Sequence, residues 1–362
     1  MTKLELACPR SERTEHGVRQ IEIGIPNETR RGVLAPEALK ALQSGSALGA
    51  RQARQLALAP GGSGWSALRS APPPDLDLTT EPVWEEPFLI PRGEAPIPVT
   101  AYCLQGRRAA RKPAVVYFHG GGFCMGSRRG VEHSMRLLAQ LSGGVVFSVE
   151  YRLAPEHRFP CATEDAWFAL RWLHRHAADF CADRAGFSVS GDSAGGNLAA
   201  ACARRDRNMR TALLRRQLLV YPVLSLAGPG GTQAPFSIAE YEINEAQKQW
   251  ILPCITSMQN AMEGTRLYTS SEQEDRSPDA SPLLDTRFAG LPPTVLFCAE
   301  FDYLTWQAKA YARQLAAAGV EVSLILYRGM HHGFMNRLGQ YPQAAALHRE
   351  MAEIIRQGYG CE

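Results

Sequence analysis

Eleven consecutive residues constrain this chain more than any other stretch: Phe187-Ser188-Val189-Ser190-Gly191-Asp192-Ser193-Ala194-Gly195-Gly196-Asn197. A short apolar segment ends in Gly-x-Ser-x-Gly and passes directly into the alanine-rich Leu198-Ala199-Ala200-Ala201-Cys202-Ala203. That order reads as strand, sharp turn and helix. Such a turn holds its central serine in strained backbone with the hydroxyl exposed, and the flanking glycines remove side chains that would collide. The first turn of the following helix offers free N–H groups beside the Ser193 hydroxyl, where a developing oxyanion can dock. The pattern is short and many unrelated turns match it, so its weight depends on what the rest of the chain supplies.

Around this turn the chain alternates regularly. Residues 114–118 and 145–149 are near-continuous apolar runs, the pattern of central strands covered on both faces. Further strands are expected over 187–190, 217–221, 294–299 and, last in the chain, 322–327; residues 82–91 and 97–104 form an opening antiparallel pair. Helical spacing falls at 163–174, after Ser193, at 304–318 and at 341–356. Strands separated by helix-length segments imply an α/β fold, with a mostly parallel central sheet covered by helices on both faces.

Two regions break this rhythm. Residues 1–30 are polar and mixed, and the first dozen are expected to be disordered. Residues 36–58 carry a broken helical pattern interrupted near Gly45, followed by the loop signals Gly61-Gly62-Ser63-Gly64 and Ala71-Pro72-Pro73-Pro74. Residues 1–80 are therefore expected to form a helical cap region on a flexible connector. Later, Gly228-Pro229-Gly230-Gly231 opens an excursion that carries Phe236, Ile238, Tyr241, Ile243, Trp250 and Ile251. Its length and aromatic content suggest a cap insertion over 228–283. The α/β domain is then split between 81–227 and 284–362.

Charge and cysteine content exclude several classes. Against 36 acidic residues stand 39 basic ones, a net charge of +3 without long runs. This gives no case for nucleic acid or an anionic membrane as partner. The clusters Arg107-Arg108…Arg111-Lys112 and Arg204-Arg205…Arg215-Arg216 read as solvated faces. Nine cysteines form no Cys-x-x-Cys, and several lie within apolar runs as buried free thiols do. A cytoplasmic location is expected, and no apolar run has the length of a signal peptide core or a membrane span.

A nucleophilic serine needs a base, an acid to orient that base, and donors for the oxyanion. His119-Gly120-Gly121-Gly122-Phe123 follows the strand that ends at Phe118, and its glycines let bare N–H groups approach a carbonyl oxygen. For the base, the loop after residues 322–327 offers His331 and His332; spacing alone does not choose between them. For the acid, Phe297-Cys298-Ala299-Glu300-Phe301-Asp302 offers Glu300 and Asp302, again without a choice. The chain order of serine, acid and histidine is that of the α/β-hydrolases.

Together with Tyr151-Arg152-Leu153-Ala154-Pro155-Glu156, these motifs resemble the signatures of the hormone-sensitive-lipase-like, bacterial family IV esterases, in the Gly-Asp-Ser-Ala-Gly subgroup. The resemblance covers roughly residues 82 to 356. It implies an α/β-hydrolase fold with a helical cap built from N-terminal helices and an insertion before the acid. It also implies that the acid is Asp302, opening an Asp-Tyr-Leu version of the family's Asp-Pro-Leu, and that the base is His332, which precedes Gly333-Phe334. His331 and Glu300 then take supporting roles. Gly121, Gly122 and Ala194 would supply the oxyanion hole, Phe123 and Asp192 are expected at the substrate, and Glu156 resembles a structural residue near the site. Two departures stand out. Tyr303 and Thr305-Trp306-Gln307 replace the residues that usually fix the acid's loop, and Arg128-Arg129 follow the oxyanion loop.

The resemblance implies a carboxylic ester hydrolase acting on small-molecule esters of short to medium acyl chain, through a Ser193–His332–Asp302 acyl-enzyme mechanism. No metal or organic cofactor is required by that chemistry. Related esterases often pair through the last strand, which makes a homodimer a further expectation. The alternatives are a specialised deacetylase or amide hydrolase for a natural product or sugar ester, and a non-catalytic ligand-binding member of the fold.

Overall fold

The computed structural model describes residues 8–45, 69, 75–105, 111–228, 236–263, 267–357 and 359. Ten strands form one sheet in the order β1-β2-β10-β9-β8-β7-β5-β6-β4-β3. The core strands are β5 (Lys112–Phe118), β6 (Val145–Val149), β7 (Ala182–Asp192), β8 (Arg216–Val220), β9 (Thr294–Phe301) and β10 (Val322–His331). Within this set every neighbouring pair runs parallel. On one side the expected pair β3 (Val83–Ile90) and β4 (Ile97–Leu104) adds antiparallel strands.

Every residue of β5 and β6 is buried. Successive side chains of a strand point to opposite faces, so unbroken burial requires cover on both. Helices α2 (Glu132–Ser142) and α8 (Pro342–Gln357) pack together as one part of that cover, and α3 (Cys161–Arg175) packs with α4 (Ala194–Met209) as another. Helix α7 (Leu304–Ala317) lies against β9 and β10.

The N-terminal segment departs from expectation. Residues 1–7 lie outside the described residues; after them β1 (Arg10–Glu15) and β2 (Val18–Ile23) form an unexpected antiparallel hairpin, and β2 lies parallel along β10. The turn residues His16 and Gly17 both have positive φ, 50° and 75°, as a two-residue hairpin turn requires. Val18, Ile21 and Ile23 bury against the core while β1 stays exposed. The last strand is therefore interior, and an expected homodimer through it would find its edge already occupied by β2.

Helix α1 (Pro36–Gln43) follows, and α5 (Lys248–Glu263), from the expected insertion, packs against it. Hydrogen bonds tie the two regions: Leu34 N–H donates to the side-chain Gln247 Oε1 at 2.7 Å and Asn244 N–H to Gly32 O at 2.9 Å. The later part of the insertion returns to the scaffold. A short helix, α6 (Glu272–Asp275), precedes Asp279, which pairs with Arg204 and Arg205. The expected helical residues 46–58, the loop signals at 61–64 and 71–74, most of the glycine-rich opening at 228–231, and Arg107-Arg108 lie outside the described residues. Lys112, expected on a solvated face, is instead only 4% exposed at the start of β5. No helix among the described residues is long and apolar enough to cross a membrane.

Candidate active site

Four parallel strands deliver the candidate residues from their C-terminal ends, where open α/β sheets place their chemistry. Strand β7 ends at Asp192, and Ser193 turns the chain into α4 with φ 55° and ψ −116°. A non-glycine residue persists in such backbone only where its surroundings enforce it. Here Ser193 N–H donates to Val220 O at 2.9 Å, and Ser193 O accepts from Val223 N–H at 3.1 Å. A Cβ on Gly195 would stand 1.9 Å from Phe118 O, so the elbow can approach β5 only without a side chain there.

Strand β10 ends at His331, and the next residue reaches the serine. His332 Nε2 lies 3.0 Å from Ser193 Oγ, and His332 Nδ1 lies 2.7 Å from Asp302 Oδ2. Asp302, one residue past β9, is fully buried; its Oδ1 accepts from Leu304 N–H at 3.0 Å. The structure thus brings Ser193, His332 and Asp302 into one hydrogen-bonded line. His331 faces elsewhere, buried beside the Tyr341 hydroxyl at 3.3 Å, and desolvation pushes its imidazole down to about 4. Glu300 accepts from Gly329 N–H at 2.7 Å, and burial raises its carboxyl above the usual range.

Donors for an oxyanion lie on two elements. Gly121 and Gly122 follow β5 with φ of 129° and 61°, and a Cβ on Gly121 would stand 2.1 Å from Met125 O. Among the described residues, neither Gly121 nor Gly122 donates its N–H to another protein group. Ala194 opens α4, where the N–H groups have no intrahelical acceptor.

A family model described as the alpha/beta hydrolase fold matches residues 115–336. The chain belongs to this family, among its hormone-sensitive-lipase-like esterases. Over 248 residues it is 36% identical to the carboxylesterase NlhH of Mycobacterium tuberculosis, covering 67% of this chain and 73% of that one. The ethyl acetate hydrolase of Pseudomonas putida is 34% identical over 233 residues, 64% of this chain and 69% of its own. A hyperthermophilic esterase from the archaeon Pyrobaculum calidifontis superposes with a TM-score of 0.68 at 32% identity, covering 90% of this chain and 98% of that one.

Two side chains that the sequence placed at the substrate are enclosed in this esterase. Asp192 is buried, and its Oδ1 accepts from the Tyr117 hydroxyl and from Gly120 N–H, both at 2.7 Å. Its carboxylate thus ties the serine elbow to the oxyanion loop, while desolvation raises its pKa. Phe123 is 1% exposed; its ring lies parallel to that of Tyr268, with centroids 3.8 Å apart. The two are held inward separately: Asp192, at the end of β7, by its bonds to Tyr117 and Gly120, and Phe123, with φ 63°, by its stack on Tyr268.

Other residues brace the site. The Tyr241 hydroxyl, from the expected insertion, donates to Asp302 O at 2.8 Å. The Tyr221 ring packs at 4.7 Å from that of His332. Arg69 donates to Cys124 O and Ala154 O and pairs with Glu156, which braces the oxyanion loop. Arg128 N–H donates to Glu150 Oε2. The altered acid loop is held by its own replacements. The Thr305 hydroxyl donates to Ala299 O at 2.7 Å, and Gln307 Oε1 accepts from Leu224 and Ser225 N–H. Among the described residues no group of three or more His, Cys, Asp or Glu side chains is arranged to hold a metal ion.

Proposed function

We propose that this protein is a carboxylic ester hydrolase acting on small esters of short to medium acyl chain, within the Gly-Asp-Ser-Ala-Gly subgroup of its family. The observation that carries the reading is the continuous line from Ser193 Oγ through His332 to Asp302, with hydrogen-bond distances at both junctions. The relatives' names support the reaction class, and the ethyl acetate hydrolase among them supports a small acyl group.

In this reading His332 Nε2 takes the Ser193 proton as Oγ attacks the ester carbonyl. The resulting oxyanion accepts from the N–H groups of Gly121, Gly122 and Ala194. As the intermediate collapses, the proton on His332 passes to the departing alkoxide and an acyl-serine remains. Water, deprotonated by His332, attacks that acyl carbon; the serine leaves, recovers the proton, and the acid is released. Asp302 holds the Nδ1–H tautomer throughout and stabilises the imidazolium formed at each step. The free cysteines among the described residues favour a reducing cytoplasm as the place of action.

Hydrolysis of p-nitrophenyl acetate, butyrate, octanoate and palmitate by wild type and Ser193→Ala tests the reading. Expected is serine-dependent turnover on the short esters that falls away toward palmitate. Turnover equal in both proteins, or absent from both, would overturn it. Turnover confined to an acetylated sugar or an amide would favour the specialised deacetylase or amidase instead.

A further inference from the structure

Lys112 opens β5 at 4% exposure, and its ammonium has one hydrogen-bond partner among the described residues, Cys103 Sγ at 2.7 Å. Cys103 is 5% exposed near the end of β4, and its own thiol faces Leu104 O at 3.6 Å. Two features set this pair apart from an ordinary contact. A buried ammonium is normally matched by a carboxylate, because isolating the charge is costly; among the described residues no carboxylate pairs with Lys112. Sulfur is also larger than oxygen, so an N–H group approaches it at longer range than the roughly 2.7–3.2 Å usual for oxygen. The observed separation is short even for an oxygen acceptor. Nitrogen and sulfur joined through a single bridging oxygen stand at about this distance.

We propose that Cys103 and Lys112 form a covalent S–O–N bridge when the protein meets a peroxide. The thiol sulfur attacks one hydrogen peroxide, the O–O bond breaks, and a sulfenic acid and water result. The Lys112 ammonium gives up one proton to solvent, and the neutral amine so formed attacks a second peroxide in the same way, giving a hydroxylamine and water. The hydroxylamine oxygen then displaces water from the sulfenic sulfur, which closes S–O–N. One thiol, one amine and two peroxides give the bridge and three waters, a four-electron oxidation of the pair with both peroxides reduced. The product nitrogen carries no formal charge, which relieves the buried ammonium.

Four other cysteines are held in a less reactive form. Burial pushes the Cys124 and Cys254 thiols up to about 12 and those of Cys202 and Cys298 higher still, which leaves little thiolate to react. Strands β4 and β5 are not neighbours, since β6 lies between them, so the bridge would join two strands that share no ladder. Lys112 precedes Phe118, where β5 gives way to the oxyanion loop, by six residues. At about 3.3 Å per residue the bridge lies about 20 Å from that loop. It is a brace in the scaffold, separate from ester turnover.

Peptide mass spectrometry of the full-length protein tests the proposal, before and after mild hydrogen peroxide. Trypsin cuts after Arg107, Arg108 and Arg111, so Cys103 and Lys112 fall on separate peptides unless bonded. Expected is a joined pair, heavier than the two peptides by one oxygen less two hydrogens. The pair should be lost on treatment with dithiothreitol and absent from Cys103→Ser and Lys112→Arg. Turnover of p-nitrophenyl butyrate by the bridged protein should stay within about twofold of the reduced form. Recovery of Cys103 as a free thiol or sulfinic acid, on a peptide separate from unmodified Lys112, would overturn the proposal. That reading comes from wild type alone and does not depend on either variant folding.

Discussion

Two adjacent histidines, His331 and His332, stand where the last strand ends, and one step along the backbone separates a reactive position from a structural one. His332 meets both Ser193 and Asp302, whereas His331 turns into the scaffold toward Tyr341. His332→Gln is expected to lower kcat for p-nitrophenyl butyrate by a factor on the order of 10³ or more. His331→Gln should keep the rate within about tenfold and lower the melting temperature instead. Comparable losses of rate in both variants would overturn the assignment. The residues themselves left both histidines and both carboxylates open, because adjacent or alternate positions at a strand end differ only in direction, and direction is set by packing. Motif resemblance pointed to Asp302 and His332. Nothing local tied Tyr241 or Tyr221 to the acid or the base, since their hydroxyl and ring arrive from segments about 60 to 110 positions away in sequence.

At the level of elements, the oxyanion loop carries strain that a neighbouring segment offsets. Phe123 continues the positive φ of Gly121 and Gly122, at 63°. For a side chain of this size that conformation costs roughly 1–2 kcal/mol. Burial of its ring against Tyr268 holds it there, while Phe159 N–H donates to Tyr268 O at 2.8 Å and the Tyr268 hydroxyl lies 3.1 Å from Thr163 Oγ1. Tyr268→Ala is expected to lower kcat about tenfold while KM changes less, and to weaken binding of a trifluoromethyl ketone that mimics the oxyanion. Tyr268→Phe keeps the ring and should restore both. If Ala and Phe behave alike, the stack does not set the loop. The alternation of strands and helices was legible in the sequence because apolar runs bounded by turn residues have few other solutions. The N-terminal hairpin was missed, although Val18, Ile21 and Ile23 and the His16-Gly17 turn were there to read. The polar strand Arg10–Glu15 masked them, since an edge strand exposed on both faces lacks the alternation that identifies strands.

For the whole molecule, acid stability and assembly follow from what the fold encloses and what it leaves at its edges. Desolvation holds His331 and His348 neutral, each pushed down to about 4 from the ordinary value near 6.5. Between those values the unfolded chain takes up protons that the folded chain refuses. Stability is therefore lost as pH falls from about 6.5 to about 4, by about 3 kcal/mol for each histidine. Asp192 and Glu300, raised by burial, act in the opposite direction, so the clean measurement is a difference. The urea midpoint of His348→Gln should fall less over this range than that of wild type, and parallel curves would refute the account. At its edges the sheet is guarded twice. Strand β3 carries Pro87, which has no N–H to donate. Strand β1 is Arg-Ser-Glu-Arg-Thr-Glu. Only alternate residues of a strand turn their N–H and C=O outward, so a strand that pairs antiparallel with its own copy about a two-fold axis must set some residue opposite itself. The central registers of β1 place Glu12 against Glu12 or Arg13 against Arg13, both repulsive. Registers further along leave few pairs. No dimer is expected through either edge: light scattering should give the mass of one chain, and the outward amides of β1 should exchange rapidly with deuterium. A two-chain mass together with slow exchange at β1 would show that the strand pairs with its copy despite its charges.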